Sequence, residues 1–138
     1  MTRRDVLLGL VAAGEAVDPI RIMKGVFLFS QDPRVPDKLK YGFVPYSYGP
    51  CSFDVYGDLN HLVASGLIRR ISGDSRWPTY AVTAKGRQSA LEALTQEQHL
   101  APKILRARKY VDARSFSTLL RDIYAKFPEY ATKSVFKS

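Results

Sequence analysis

The residues best able to do chemistry are one cysteine, two histidines and a pair of aspartates, and their spacing forms no catalytic or metal-binding set. Cys51 precedes a predicted helix, whose positive end would lower the pKa of a thiol. A thiolate nucleophile needs a base, and nothing in the spacing places His61 or His99 beside it. Asp54 and Asp58 share one helical face, but two carboxylates alone do not make a metal site. With no phosphate-binding or dinucleotide-binding glycine pattern, the sequence predicts no enzyme, no cofactor and no metal, and Cys51 is expected to fill an apolar gap.

Positive charge dominates the chain and is concentrated near its C-terminal end. The 138 residues carry 21 lysines and arginines against 13 aspartates and glutamates, for a formal net charge of +8. Residues 101–138 hold nine of the bases and three of the acids, whereas residues 51–100 hold five of each. Such a field attracts polyanions in general. A single cysteine excludes an internal disulfide, and no apolar run is long enough to cross a bilayer, so a cytoplasmic protein without a membrane partner is expected.

Capping residues and apolar spacing predict the helices of the N-terminal half. A first helix begins at Thr2, which has Asp5 three residues later, and a second begins at Asp18-Pro19. A third helix is predicted over residues 52–65, with Ser52 able to cap it. Four prolines between the second and third helices predict a loop over residues 31–50, with a short extended piece at residues 41–44.

The second half of the chain reads as two strands followed by three helices. The strands cover residues 68–71 and 79–83 around a tip at Ser72-Gly73-Asp74-Ser75. Thr83 caps a fourth helix over residues 84–97, with Ala90, Leu91 and Leu94 facing inward. Pro102 opens a fifth helix, and Ser115 caps a sixth that ends before Pro128. This order of helix, strand, turn and strand is typical of the second half of a winged helix-turn-helix.

Three segments carry a resemblance to a known family. They are FVPYSYGPCSFDVYGDLNHLVASGLI at residues 43–68, YAVTAKG at residues 80–86 and IYAKFPEYATKS at residues 123–134. They resemble the corresponding blocks of small bacterial and archaeal winged-helix proteins assigned as transcriptional regulators, and IRIMKGVFLFSQ at residues 20–31 also fits. More distantly, the Tyr-Gly-Pro before a capped helix is similar to the Panacea domain of antitoxins and phage-associated adaptors.

The resemblance implies an α+β fold, a winged helix-turn-helix that is rich in helix and has a two-stranded wing. A winged-helix domain is expected over residues 1–98, with residues 99–138 as a C-terminal helical extension packed on the same domain. The expected function is non-enzymatic transcriptional regulation through double-stranded DNA, with pairing into a homodimer through the terminal helices. The alternative is an adaptor or antitoxin-like module whose winged-helix surface binds a protein partner.

Eleven residues are the candidates for contact with DNA. Bases would be reached from the third helix by Ser52, Asn60 and His61. Phosphates would be contacted around the wing by Arg69, Arg70, Arg76, Lys85 and Arg87. Further phosphate contacts would come from a C-terminal stripe of Lys103, Arg106 and Lys109. The exposed side of the third helix has no lysine or arginine, and its two aspartates would repel phosphates.

An aromatic set supports the protein-binding alternative. Its members are Phe43, Tyr46, Tyr48, Phe53, Tyr56, Tyr124, Phe127 and Tyr130. They would either line a groove for a partner peptide or pack the loop and the C-terminal tail onto the core, and packing is expected for most of them. Trp77 is likewise expected to brace the wing rather than to stack on a ligand.

Overall fold

The structure, a computed structural model, describes residues 1–74 and 76–136, so Ser75 of the predicted wing tip lies outside the described residues. The described residues form an α+β arrangement of six α-helices, two antiparallel strand pairs and two short 3₁₀ helices. The helices are α1 (Arg3–Ala12), α2 (Pro19–Ser30), α3 (Phe53–Ala64), α4 (Ala84–Gln96), α5 (Ala101–Asp112) and α6 (Phe116–Lys126). The strands are β1 (Val44–Tyr46), β2 (Gly49–Cys51), β3 (Ile68–Ile71) and β4 (Thr79–Val82).

Local capping explains where four of the helices begin, as the sequence predicts. Thr2 and Asp5 form a reciprocal capping box, in which the Thr2 backbone N–H donates to the Asp5 carboxylate at 2.8 Å. Asp18 accepts a backbone N–H at the start of α2, Thr83 does so for α4, and Ser115 does so for α6. Ser52 holds the cap position of α3, but its side chain makes no capping hydrogen bond.

The wing is a regular hairpin that a third segment joins. β3 pairs antiparallel with β4 in the register Ile68↔Val82. Val17, between α1 and α2, forms an isolated bridge to Tyr80, with hydrogen bonds of 2.9 and 2.8 Å between the two backbones. α1 lies against β4, and α3 contacts both α1 and β3. This arrangement is compatible with a winged helix without being diagnostic of one.

The predicted loop over residues 31–50 is more ordered than the sequence suggests. It contains a short 3₁₀ helix (Asp37–Leu39) and the β1–β2 hairpin, which starts at Val44, the last residue of the extended piece expected at residues 41–44. Pro45 and Pro50 face each other across this hairpin. Prolines without an N–H are tolerated there because the two strands form a sheet of only two members.

The inward face of α4 differs from the prediction at one position. Ala90 is buried, but Leu91 is 56 % exposed, so the expectation that it faces the core is wrong. α4 packs against α1 and β4 through the face that carries Gly86, Ala90 and Ala93. A Cβ atom at Gly86 would lie 1.9 Å from the carbonyl oxygen of Leu67, so this helix can approach the chain before the wing only through a glycine.

The C-terminal helices pack directly on the N-terminal ones. α5 lies against both α1 and α2, and α6 contacts β2 and the 3₁₀ helix at Pro128–Ala131. Phe27 of α2 sits at the centre of a second apolar cluster that includes Val111, Leu119 and Ile123. Within the described ranges, no helix combines the length and the apolar character needed to cross a membrane.

Candidate nucleic-acid interface

The wing and the start of α4 carry five exposed cations. Arg69 and Arg70 are adjacent on β3, so their side chains leave opposite faces of the hairpin; Arg76 follows the tip, and Lys85 and Arg87 belong to the first turn of α4. No carboxylate of the described residues forms an ion pair with any of the five. The wing is therefore a surface of uncompensated positive charge, referred to below as the wing cations.

The wing cations lie beside the C-terminal end of α3. The Lys85 ammonium donates to the carbonyl of Ser65, the residue that ends this helix, at 3.2 Å. A cation at this position also complements the negative end of the helix. Thr83 donates its hydroxyl to the carbonyls of Gly66 and Leu67, which fixes the start of α4 against the same turn. The wing cations and the exposed face of α3 are thus held on one connected part of the molecule.

The predicted base-contacting residues of α3 divide into two groups. Asn60 and His61 are exposed on the helix, together with Gly57 and Ala64. Ser52 is only 3 % exposed, and its backbone N–H donates to the sulfur of Met23. Its side chain lies beneath the surface and reaches no base edge in this arrangement, so two of the three predicted residues remain on the candidate interface.

The two aspartates of α3 are compensated by arginines of α1. Asp58 accepts from the Arg4 guanidinium at 3.4 Å and from the Tyr41 hydroxyl at 2.7 Å, and Asp54 pairs with Arg3 at 3.4 Å. Burial, followed by the bond to Asp58, raises the pKa of Tyr41 far above its ordinary value, so the phenol stays a donor. The Asp58 side chain is thus only 16 % exposed and joins α3 to α1 and to the chain before β1.

The C-terminal stripe is smaller than the sequence predicts. Lys103 is mostly buried and pairs with Asp32 at 2.6 Å, so it is not an open phosphate contact. Hydrogen bonds from Arg34 and then from Lys103 hold the pKa of the Asp32 carboxyl well below its usual range. Arg106 and Lys109 remain exposed on α5, and no carboxylate of the described residues pairs with either. Of the three residues predicted for the stripe, Arg106 and Lys109 therefore stay available for phosphate contact.

Two arginines, Arg108 and Arg21, donate hydrogen bonds to backbone carbonyls at the C-terminal ends of helices inside the molecule. Arg108 is 1 % exposed and donates to the carbonyls of Leu10, Val11 and Glu15 at the end of α1, and to the Asp112 carboxylate at 2.8 Å. In the same way, Arg21 donates to the carbonyls of Val111 and Arg114 at the end of α5. Sequence analysis missed this role. A signal existed, because Arg108 lies at helical spacing from the buried residues of α5.

The aromatic set forms three separate clusters. Phe43, Phe127 and Tyr130 each pack edge to face on Phe27, with ring centroids 5.0–5.2 Å apart, as the packing hypothesis predicts. Tyr48 contacts Trp77 and Phe116 at the base of the wing.

The third cluster is on the surface. Tyr46 of β1 and Phe53 of α3 stack edge to face at 5.4 Å, and Phe53 is 60 % exposed. Val44 and Tyr56 are the other large exposed apolar residues in these two elements. These four residues are called the β1–α3 patch below.

The cysteine lies in a setting that disfavours nucleophilic chemistry. Cys51 is buried, and burial raises the pKa of its thiol, opposite to the lowering expected beside a helix start. His61 and His99 are both exposed. Cys51 lies near Lys24, which is 2 % exposed and donates to the carbonyl of Pro50 at 2.9 Å. Burial lowers the pKa of Lys24 from 10.5 to about 8, against a smaller opposing effect of the Cys51 charge.

Comparisons with known proteins add no assignment. No family model, no curated protein and no solved structure matches this chain. Within the described part of the chain, no group of three or more histidines, cysteines, aspartates or glutamates is placed to hold a metal ion.

Proposed function

We propose that this protein is a winged-helix DNA-binding protein, a non-enzymatic transcriptional regulator that contacts duplex DNA through its wing. The single observation that carries this proposal is the group of wing cations, which lack carboxylate partners among the described residues. Lys103 of the predicted C-terminal stripe and the buried Arg108, by contrast, are matched by acids. Exposed cations that cluster on one element of the fold without acidic partners are the electrostatic footprint expected for phosphate contact.

The order of the elements supports the winged-helix part of the proposal. The chain runs α1, the segment at Val17, α2, a 3₁₀ helix with the β1–β2 hairpin, α3, and then the β3–β4 hairpin, to which Val17 adds an isolated bridge. In this arrangement α3 is the helix that would meet the major groove. Asn60 and His61 are then the side chains that would contact base edges, and Arg3 and Arg4 remove the repulsion expected from the aspartates of α3.

A charge-matched pair of variants tests the proposal. The wing variant carries Arg69→Gln, Arg70→Gln and Arg76→Gln. The control removes three exposed cations elsewhere, through Lys38→Gln, Arg121→Gln and Lys133→Gln. Binding to a random-sequence duplex is measured by fluorescence anisotropy at several salt concentrations between about 50 and 200 mM.

The wing variant should lose most of its affinity for every duplex. The slope of log K against log salt should fall by about 3, because each lost phosphate contact releases about one counterion fewer. The control should keep the wild-type slope to within about 1. Equal losses in both variants would show that net charge, not the wing, attracts DNA. Unchanged affinity in the wing variant would refute the proposal.

A second function has its own observation, the β1–α3 patch. An exposed aromatic pair with two further large apolar neighbours is typical of a protein contact site. This patch would serve an adaptor or antitoxin-like module, and its binding would depend little on salt. Phe53→Ala should abolish such a protein complex and leave the salt dependence of duplex binding unchanged, whereas the wing variant should do the reverse.

A further inference from the structure

A cavity at the base of the wing shares only Arg76 with the proposed DNA contact. It has a volume of about 350 Å³ and lies where β4, the β1–β2 hairpin and the starts of α2 and α6 meet. Its walls include Tyr48, Arg76, Trp77, Thr79 and Phe116. The volume is at the lower end of the range for small-molecule sites, which suits a ligand of one or two fused rings.

Three aromatic rings form one wall. Tyr48 lies 5.7 Å from Trp77 and 5.6 Å from Phe116, and Trp77 lies 6.1 Å from Phe116, all in edge-to-face contacts. The rings already touch one another, so they leave no central space for a caged cation. All three are only half-buried. A planar ligand lying against this wall would remove aromatic surface from water and add further ring contacts.

The polar groups of the cavity favour an anion. Asp18 and Arg21 form an ion pair at 2.7 Å and compensate each other, and Arg21 also donates to two backbone carbonyls. Arg76 is exposed, has no carboxylate partner among the described residues and lies with Cζ 5.8 Å from the centre of the Trp77 ring. The excess charge of the cavity is therefore the positive charge of Arg76. A carboxylate can accept two parallel charge-assisted hydrogen bonds from a guanidinium, so it suits this position.

We propose that this cavity binds a small planar aromatic carboxylate, with its ring against Tyr48, Trp77 and Phe116 and its carboxylate at Arg76. The site is separate from base contacts by α3, and ligand binding does not depend on the proposed DNA function. Because Arg76 is also a wing cation, a bound anion would compensate one of the charges available to phosphate.

The test uses naphthalene-2-carboxylate as the probe, with naphthalene-2-carboxamide and hexanoate as comparators. The chain contains one tryptophan, so the indole N–H of Trp77 gives a single resonance in a ¹H–¹⁵N spectrum and reports on the cavity wall directly. Titration of the full-length protein without DNA gives dissociation constants from this resonance, and calorimetry checks them. The carboxylate should bind about tenfold more tightly than the carboxamide, as expected for one partly exposed charge-assisted contact, and hexanoate should not move the resonance.

Variants separate the two parts of the site. Arg76→Gln should make the carboxylate and the carboxamide bind equally, while Arg69→Gln, a wing cation outside the cavity, should preserve the preference. Phe116→Ala should weaken both naphthalene probes about tenfold, through loss of one ring contact. Phe116→Leu keeps an apolar side chain without the ring and should weaken both naphthalene probes similarly. It replaces Phe116→Ala as the test if the alanine variant perturbs α6. Phe53→Ala is the matched control on the β1–α3 patch.

Three results would overturn the proposal. They are an unmoved Trp77 resonance at millimolar naphthalene-2-carboxylate, an equal response to hexanoate, and an undiminished preference for the carboxylate in Arg76→Gln. None of these results depends on DNA binding. A loss of duplex affinity in the wing variant together with an unmoved Trp77 resonance would leave the DNA proposal standing and refute this one.

Discussion

Lys24→Met is expected to change how the stability of the protein depends on pH. Lys24 is enclosed between α2 and β2, with the carbonyl of Pro50 as its hydrogen-bond acceptor and Cys51 nearby. Its pKa of about 8 lies below the ordinary value of 10.5, chiefly because burial disfavours the ammonium. Because a tenfold change in an equilibrium constant is worth about 1.4 kcal/mol, this lowering costs the folded state about 3 kcal/mol while Lys24 is protonated.

The sign follows from proton binding. Between pH 8 and pH 10.5 the unfolded chain still holds the Lys24 proton while the folded chain has released it, so the free energy of unfolding rises with pH in this window. Below pH 8 both states are protonated, and the full cost is present. The wild type should therefore gain about 1 kcal/mol relative to Lys24→Met between pH 7 and pH 9.

The assay is urea unfolding followed by circular dichroism at pH 7, 8 and 9, for the wild type, Lys24→Met and Lys38→Met. Lys38 is exposed, so its variant should track the wild type across the range. Burial also raises the pKa of Cys51 and of Tyr56, which lowers stability at high pH, but both variants retain these groups and the difference largely cancels their effect. Parallel pH profiles for the wild type and Lys24→Met would refute the account of a buried, deprotonating lysine.

Three further predictions concern packing and assembly. Arg108→Met should destabilise the fold by about 3–5 kcal/mol in chemical unfolding, because it leaves buried carbonyls and a carboxylate without their donor. Arg106→Met, an exposed position on the same helix, should cost less than about 1 kcal/mol in the same assay. Gly86→Ala should cost at least about 3 kcal/mol or prevent folding, whereas Gly57→Ala, whose Cβ would meet open space in α3, should stabilise by about 0.5–1 kcal/mol. The homodimer expected from the sequence stays a prediction. Exposed Leu91 borders an apolar groove between α1, α4 and α5, so Leu91→Glu should shift the protein towards a 15.5 kDa species in sedimentation. A wild type that sediments only as the 15.5 kDa species would refute the homodimer.

Local signals account for the parts of the fold that the sequence predicts well. The caps at Thr2, Asp18 and Ser115 each depend on residues within one turn, and the structure contains all three. The wing strands are likewise predicted from adjacent residues, because turn residues separate two runs that are rich in β-branched and apolar side chains. The β1–β2 hairpin was missed because its strands have three residues each and each contains a proline, which locally indicates a loop.

Long-range pairing accounts for most of the differences at the candidate interface. Whether Lys103 is open to phosphate depends on Asp32, which is 71 residues away, and whether Asp58 repels DNA depends on Arg4, which is 54 residues away. No spacing rule connects such partners. By contrast, Asn60 is exposed as predicted, because the periodicity of α3 decides it.

The hydrogen bonds from Arg108 to the carbonyls at the end of α1 have a consequence for the nascent chain. α1 leaves the ribosome well before α5, yet the carbonyl of Leu10 receives its donor from Arg108, 98 residues later, and Arg21 reaches the carbonyl of Val111 across 90 residues. At ordinary translation rates this separation is about 5–20 s of synthesis, during which the apolar faces of α1 and α2 lack the helix that covers them. The N-terminal half should therefore stay open to chaperones until α5 emerges, and completion of its packing should wait for the synthesis of α5.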